Sequence, residues 1–231
     1  MPASDDVSVH ALTMPVEFGG RELSITPTAI ETDRGLLLVD VGPQGAADRL
    51  QSELARLGWS LDDVQFVVCT HHDADHVGGL AELAEHTEIH TFAHVDEAPY
   101  VRGDRAPQKG DGGDRYPPAV VDVELVDGVR FTTEAGPVVI VSTPGHTPGH
   151  VSLFVPDERL LVAGDALVAD GEQPLAGPKP AFTAEIETAL DSVTRLADLD
   201  VDRTICFHGG YVPFGADQIG EIVSSADDHD H

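Results

Sequence analysis

Residues 70–79 read T-H-H-D-A-D-H-V-G-G, and this stretch decides the fold. His71, His72, Asp73, Asp75 and His76 fall within six positions. An apolar run over 65–70, read as a buried strand, precedes them, and a helical pattern over 77–86 follows. A strand end that brings several imidazole nitrogens and carboxylate oxygens to one point offers what a metal ion needs. The plain alternative is a polar loop that happens to be rich in histidine. Three more segments argue against it.

The second segment, S-T-P-G-H-T-P-G-H over 142–150, follows an apolar run at 138–142. Its Pro and Gly residues make a tight turn that can hold His146 at a strand end. The third, L-L-V-A-G-D-A-L over 160–167, ends an apolar strand in Gly164 and Asp165. A carboxylate there can bridge two cations. The fourth, T-I-C-F-H-G-G over 204–210, puts His208 at a strand end. Core packing does not account for four strand ends that each carry a His or an Asp.

Between these segments the periodicity predicts strands over 9–16, 23–31, 36–41, 89–93, 120–126, 129–133, 151–155 and 203–207. Helices are predicted over 44–57, closed by Gly58, over 183–196 with Thr183 as N-cap, and over 215–226. Residues 102–118 and 170–181 are rich in Gly and Pro and read as long loops, the first as a lid. Clustered strands with a few helices favour two packed sheets with helices outside, an α/β sandwich of αββα type. Residues 1–226 read as one domain and 227–231 as a frayed acidic tail.

In combination and order, the four segments resemble the metallo-β-lactamase superfamily, which includes glyoxalase II-type thioesterases, acyl-homoserine lactonases and flavodiiron proteins. The resemblance runs from the L-V-D-V-G strand at 38–42 to His208. It implies a four-layer αββα sandwich and two divalent metal ions, zinc foremost and iron or manganese as alternatives. By the same resemblance His71, Asp73 and His146 hold one ion. Asp75, His76 and His208 hold the other, and Asp165 bridges. Asp75 is the catalytic residue, both ligand and orienter of the nucleophile. The implied reaction is attack of a metal-bound hydroxide on an ester, thioester or lactone carbonyl. The T-P-G-H-T-P-G-H segment looks most like the glyoxalase II and lactonase side of the family. The chain ends soon after His208, without the helical domain that binds glutathione in typical glyoxalase II enzymes, which disfavours that specific activity.

Position 73 departs from the common HxHxDH pattern: it is Asp where the second His is expected. Flavodiiron proteins carry a carboxylate there, so a di-iron redox protein is one alternative function, and a non-catalytic metal-binding protein is another. A third carboxylate makes the site more anionic and shifts preference from zinc towards harder ions. His72 is expected to line the pocket, and His150 to support the ligands or pack. Asp40 is expected to orient ligand histidines or cap its strand. Tyr211 is a candidate contact to a substrate oxygen. His10, His86, His90 and His94 read as structural or surface residues. His229 and His231 lie in the tail.

Composition bounds the partners. The 231 residues are 41% hydrophobic, enough for a core. Asp and Glu number 41 against 13 Lys and Arg, giving a net charge of −28, and Lys109 and Lys179 are the only lysines. Such a surface repels nucleic acid and anionic lipid, leaving a small-molecule substrate. Dense carboxylates with scarce lysine read either as an ordinary acidic protein or as one suited to molar salt, where screening quenches self-repulsion. Cys69 and Cys206 form no CxxC pair. The first residues, M-P-A-S-D-D, show no basic and apolar leader pattern, and no apolar run reaches membrane length. These features predict a cytoplasmic protein with reduced thiols.

Overall fold

The computed structural model describes residues 8–18, 20–109, 115–169 and 175–227. Two six-stranded sheets carry the architecture. The first has the order β1 (Val9–Ala11), β4 (Thr28–Thr32), β5 (Gly35–Val39), β6 (Val64–Cys69), β7 (His90–His94), β8 (Val123–Leu125). The second runs β14 (Gly210–Val212), β13 (Arg203–Cys206), β12 (Leu160–Gly164), β11 (Val151–Val155), β10 (Gly136–Ser142), β9 (Arg130–Thr133). A hairpin of β2 (Met14–Phe18) and β3 (Arg21–Ile25) stands apart from both.

Strand alternation builds the layers. Leu37 and Val39 of β5 face inward and meet Ile140, Leu153 and Val162 of the second sheet in one buried cluster. Leu36 and Leu38 face outward and pack against Leu50 and Leu54 of α1 (Ala47–Arg56) and Leu80 and Leu83 of α3 (Leu80–His86). In β12, Val162 points to the inter-sheet core. Its neighbours Leu161 and Ala163 point out, under Val193 and Leu196 of α5 (Ile186–Ala197) and Ile219 of α6 (Ala216–Asp227). The result is helix, sheet, sheet, helix, the expected αββα sandwich. Truncating a seam residue such as Leu37 to Ala costs about 2–5 kcal/mol, because both sheets bury it.

Several boundaries differ from the sequence expectation, each for a local reason. Residues 9–16 split into β1 and β2, and 23–31 into β3 and β4, because Pro27 offers no amide hydrogen at the bend and Leu12 N–H bonds its carbonyl at 2.8 Å. The helix predicted over 44–57 begins only at Ala47, after the turn at Gly45. The 77–86 helix is two pieces, α2 (Ala74–Val77) and α3, broken at Gly78-Gly79, where Gly79 N–H bonds the Gly42 carbonyl at 2.9 Å. Thr183 is not an N-cap: its hydroxyl donates to the Lys179 carbonyl, and α5 starts three residues later. Only Val123–Leu125 of the 120–126 run pairs as strand. A short helix unforeseen from the sequence, α4 (Ala98–Val101), follows β7. The last residues of the expected tail, 228–231, lie outside the described residues, as do 110–114 of the expected lid and 170–174 of the second loop.

Candidate metal centre

The four segments end at one edge of the sandwich. The loop after β6 carries His71, Asp73, Asp75 and His76; the β10–β11 turn carries His146; the end of β12 carries Asp165; the β13–β14 turn carries His208. Three candidate ligand triads result, each with its donor atoms within 4.8 Å of one another: His71–Asp73–His146, Asp75–His76–His208 and, joining these two, His71–His76–Asp165. Asp165 lies between the first two. Its Oδ1 is 3.3 Å from His76 Nε2, and its Oδ2 is 3.4 Å from His146 Nε2 and 3.7 Å from His208 Nε2. All seven residues singled out in the sequence therefore converge.

Buried partners aim these groups from behind. Asp40 takes a left-handed backbone (φ 60°) at the end of β5. Its carboxylate accepts Thr70 N–H at 2.8 Å and Thr70 Oγ1–H at 2.7 Å, and lies 2.8 Å from His76 Nδ1. This contact places the Nδ1 hydrogen towards Asp40 and leaves Nε2 facing the centre. Thr70 Oγ1 is also 2.9 Å from His71 Nδ1. The Phe207 ring stacks on His76 at 3.6 Å, a contact with no sequence signal beyond a position next to His208. His150 is buried, with Nδ1 2.8 Å from Thr143 Oγ1 and Nε2 accepting Asp165 N–H at 3.0 Å. Gly164 makes that approach possible: at φ 57° a side-chain carbon there would lie 2.7 Å from His150 Nε2.

The electrostatics separate the groups. Burial would lower the His76 pKa, but Asp165, Asp40 and Asp75 outweigh it and hold it well above the ordinary histidine value. His71 is pushed well below that value by burial and by His76, and His150 by burial and by His146. Burial would raise both Asp73 and Asp165. Neighbouring imidazoles, with Lys109 beside Asp73, reverse this and hold both well below the usual carboxylate range, His71 foremost for Asp73 and His76 foremost for Asp165.

The fit to metal ions rests on orphaned atoms. His71 Nε2, His76 Nε2, Asp73 Oδ1 and Asp165 Oδ1 are buried and have no hydrogen-bond partner among the described residues. Buried polar atoms are rarely left so, since each costs roughly 1–3 kcal/mol. Cations at the triads would take them up: His71 Nε2 and Asp73 Oδ1 belong to one triad, His76 Nε2 to the other, and Asp165 Oδ1 lies beside His76.

His72 belongs to a different cluster. It is fully buried against the Tyr100 ring at 4.1 Å, and its Nδ1 hydrogen-bonds the Glu97 carboxylate. Glu97 also accepts His72 N–H at 2.9 Å and Gly149 N–H at 2.7 Å, so it ties the β6 loop to the His146 turn. The sequence offered no hint of Glu97, because nothing local marks a carboxylate that will be buried. His10 bonds Glu31, and His94 accepts Asp96 N–H. Tyr211 is exposed on β14. His229 and His231 lie outside the described residues.

Comparison with known proteins agrees with this geometry. A profile of the metallo-beta-lactamase superfamily matches residues 20–208. The probable metallo-hydrolase YflN of Bacillus subtilis is 32% identical over an alignment covering 75% of each chain. A hydroxyacylglutathione hydrolase of Ruegeria pomeroyi is 32% identical across 76% of this chain, which spans 58% of that relative's length. Among solved structures, a metallo-beta-lactamase family protein from Thermus thermophilus superposes with a TM-score of 0.75 at 23% identity, covering 96% of this chain and 80% of the other. With the profile spanning all four ligand segments and the sandwich superposing over nearly its whole length, the chain belongs to the metallo-β-lactamase superfamily.

Proposed function

We propose that the protein is a metal-dependent hydrolase that cleaves an ester, thioester or lactone bond in a small-molecule substrate. One observation carries this reading: the Asp165 carboxylate faces two ligand triads, and its Oδ1 is one of four buried ligating atoms there without a hydrogen-bond partner among the described residues. Asp75, His76 and His208 with Asp165 would hold one divalent ion, and His71, Asp73 and His146 offer a second half-site. The imidazoles suit zinc, and the carboxylates admit iron or manganese. When bound, such an ion supplies Lewis acidity, polarising a carbonyl and making water nucleophilic near neutral pH.

The chain's own groups do the remaining work. Asp40 and Thr70 hold His76 and His71 in the rotamers that point inward. His150 fixes the backbone of Asp165. Asp75 is only partly buried, with Oδ2 3.2 Å from His208 Nε2. It is the carboxylate placed to orient the attacking water and take its proton. The relatives named hydroxyacylglutathione hydrolases favour a thioester. Two buried free thiols and the net charge of −28 support a reducing, cytoplasmic setting and a substrate other than nucleic acid. No helix among the described residues is long and apolar enough to cross a membrane.

The test is metal analysis of the purified protein with a panel of thioesters, esters and lactones, before and after chelation. Turnover that chelation abolishes and zinc restores is the expected result. Protein that consumes oxygen with a reductant and turns over none of the panel would replace the hydrolase with the redox reading.

A further inference from the structure

The two half-sites are not equivalent, because one already contains a cation from the chain. Lys109 Nζ is 2.6 Å from Asp73 Oδ2 and 2.6 Å from His146 Nε2, two of the three donor groups of the first triad. An ammonium carries three donors on a compact charge, and here it meets a carboxylate and an imidazole nitrogen that would otherwise ligate an ion. Only 29% of the Lys109 side chain is exposed, so this is not a surface residue leaning inward.

The seat is built on partly buried contacts backed by a buried pair. Gln108 N–H donates to His72 Nε2 at 3.2 Å, and the Gln108 amide donates to the Tyr100 hydroxyl at 3.2 Å. His72 is held in turn by Glu97. Glu97, His72 and Tyr100 therefore fix the backbone next to Lys109 and deliver its side chain to Asp73. The charges also match: one carboxylate, Asp73, against one ammonium. The sequence pattern points the same way. The residue that breaks HxHxDH is the one that contacts Lys109, and a chain with only two lysines places one of them here.

We propose that Lys109 is the resident cation of the first half-site, so that the centre takes a single divalent ion, held by Asp75, His76, His208 and Asp165. This rests on the metal-centre reading above. It assigns Asp73 a new role, as the counter-ion of Lys109 instead of a metal ligand. The carboxylate at 73 then no longer points to di-iron chemistry.

The experiment is zinc stoichiometry. Metal-free protein is loaded with excess zinc and desalted in molar KCl, which screens the surface carboxylates. Zinc is then counted by elemental analysis and native mass spectrometry. Wild type and Lys109→Arg should hold one ion per chain. Lys109→Met removes the charge, keeps much of the volume, and should hold two. Two ions in every protein would overturn the proposal, as would one ion in Lys109→Met. No zinc in any of the three would overturn the metal-centre reading itself.

Discussion

The two triads use the same residue types at the same sheet edge, yet each is neutralised differently. Around Asp75–His76–His208 the positive charge is a proton on His76, drawn there by Asp165, Asp40 and Asp75. Around His71–Asp73–His146 it is the Lys109 ammonium. A proton on an imidazole is released when a metal ion takes the same nitrogen, and the ring stays in place. The ammonium is fixed to the Lys109 stem, so an ion entering the first triad must push aside the whole side chain. The comparison teaches that equal ligand inventories do not make equal metal sites. What already sits among the ligands, and how easily it leaves, decides the loading.

The largest expected effect comes from the group the half-sites share. Asp165→Ala should strip metal from the centre and lower turnover by more than about a hundredfold, because even an outer partner of a ligand is worth 10–100-fold. Unchanged metal and turnover would end the assignment. Asp40→Asn strikes His76 directly and reaches His71 only through Thr70. Asparagine tolerates the left-handed backbone at 40 but cannot offer His76 and Thr70 a carboxylate. Zinc affinity should fall by roughly 10–100-fold. Equal affinity, measured by competition with a chelator of known strength, would show that His76 needs no such partner.

Asp73→His tests the other side. It removes the partner of Lys109 and restores an imidazole, so zinc content after equilibration with equal zinc, manganese and ferrous iron should rise relative to wild type. Identical metal ratios would mean that Asp73 neither seats Lys109 nor selects the ion.

The titration of the metal-free centre has a worked-out sign. His76, raised in the fold, stabilises it fully below about pH 6.5, and this is lost as pH climbs through the raised value. Asp73 and Asp165, lowered in the fold, stabilise it above their ordinary value of 3.8, and this is lost as pH falls. The metal-free protein should therefore gain most from these groups between the two limits. Zinc uptake near neutral pH should release about one proton. Calorimetric titrations in buffers of different ionisation enthalpy measure that release, and heats independent of buffer would break the comparison. Salt should affect the centre least. With a net charge of −28, the melting temperature should climb as KCl goes from low to molar, while the buried pairs are little screened and zinc stoichiometry stays the same. A melting temperature flat across that range would remove the molar-salt reading of the composition.

Legibility followed from how local each signal is. The candidate ligands were readable because four crowd into six positions after an apolar run and the other three, His146, Asp165 and His208, each stand beside a Gly near the end of one, a pattern that a packed core has no use for. The αββα layering was readable from clustered strands and amphipathic helices. Strand ends near Pro27 and the break at Gly78-Gly79 were not, because partners distant in sequence set them: the hairpin competes for 14–25, and the Gly42 carbonyl takes the Gly79 N–H.

By itself, then, the sequence marked seven candidate side chains at four strand ends and showed that Asp73 is out of pattern, because those features reside in residue type and short-range order. Only the tertiary structure decided what Asp73 is for. The fold buries Glu97 under two ligand loops, Glu97 turns His72 away from the centre, and His72 pins Gln108 so that Lys109 reaches Asp73 across 36 residues of chain. No local pattern encodes that contact, since hydrogen bonds to residues distant in sequence fix where the backbone beside Lys109 lies.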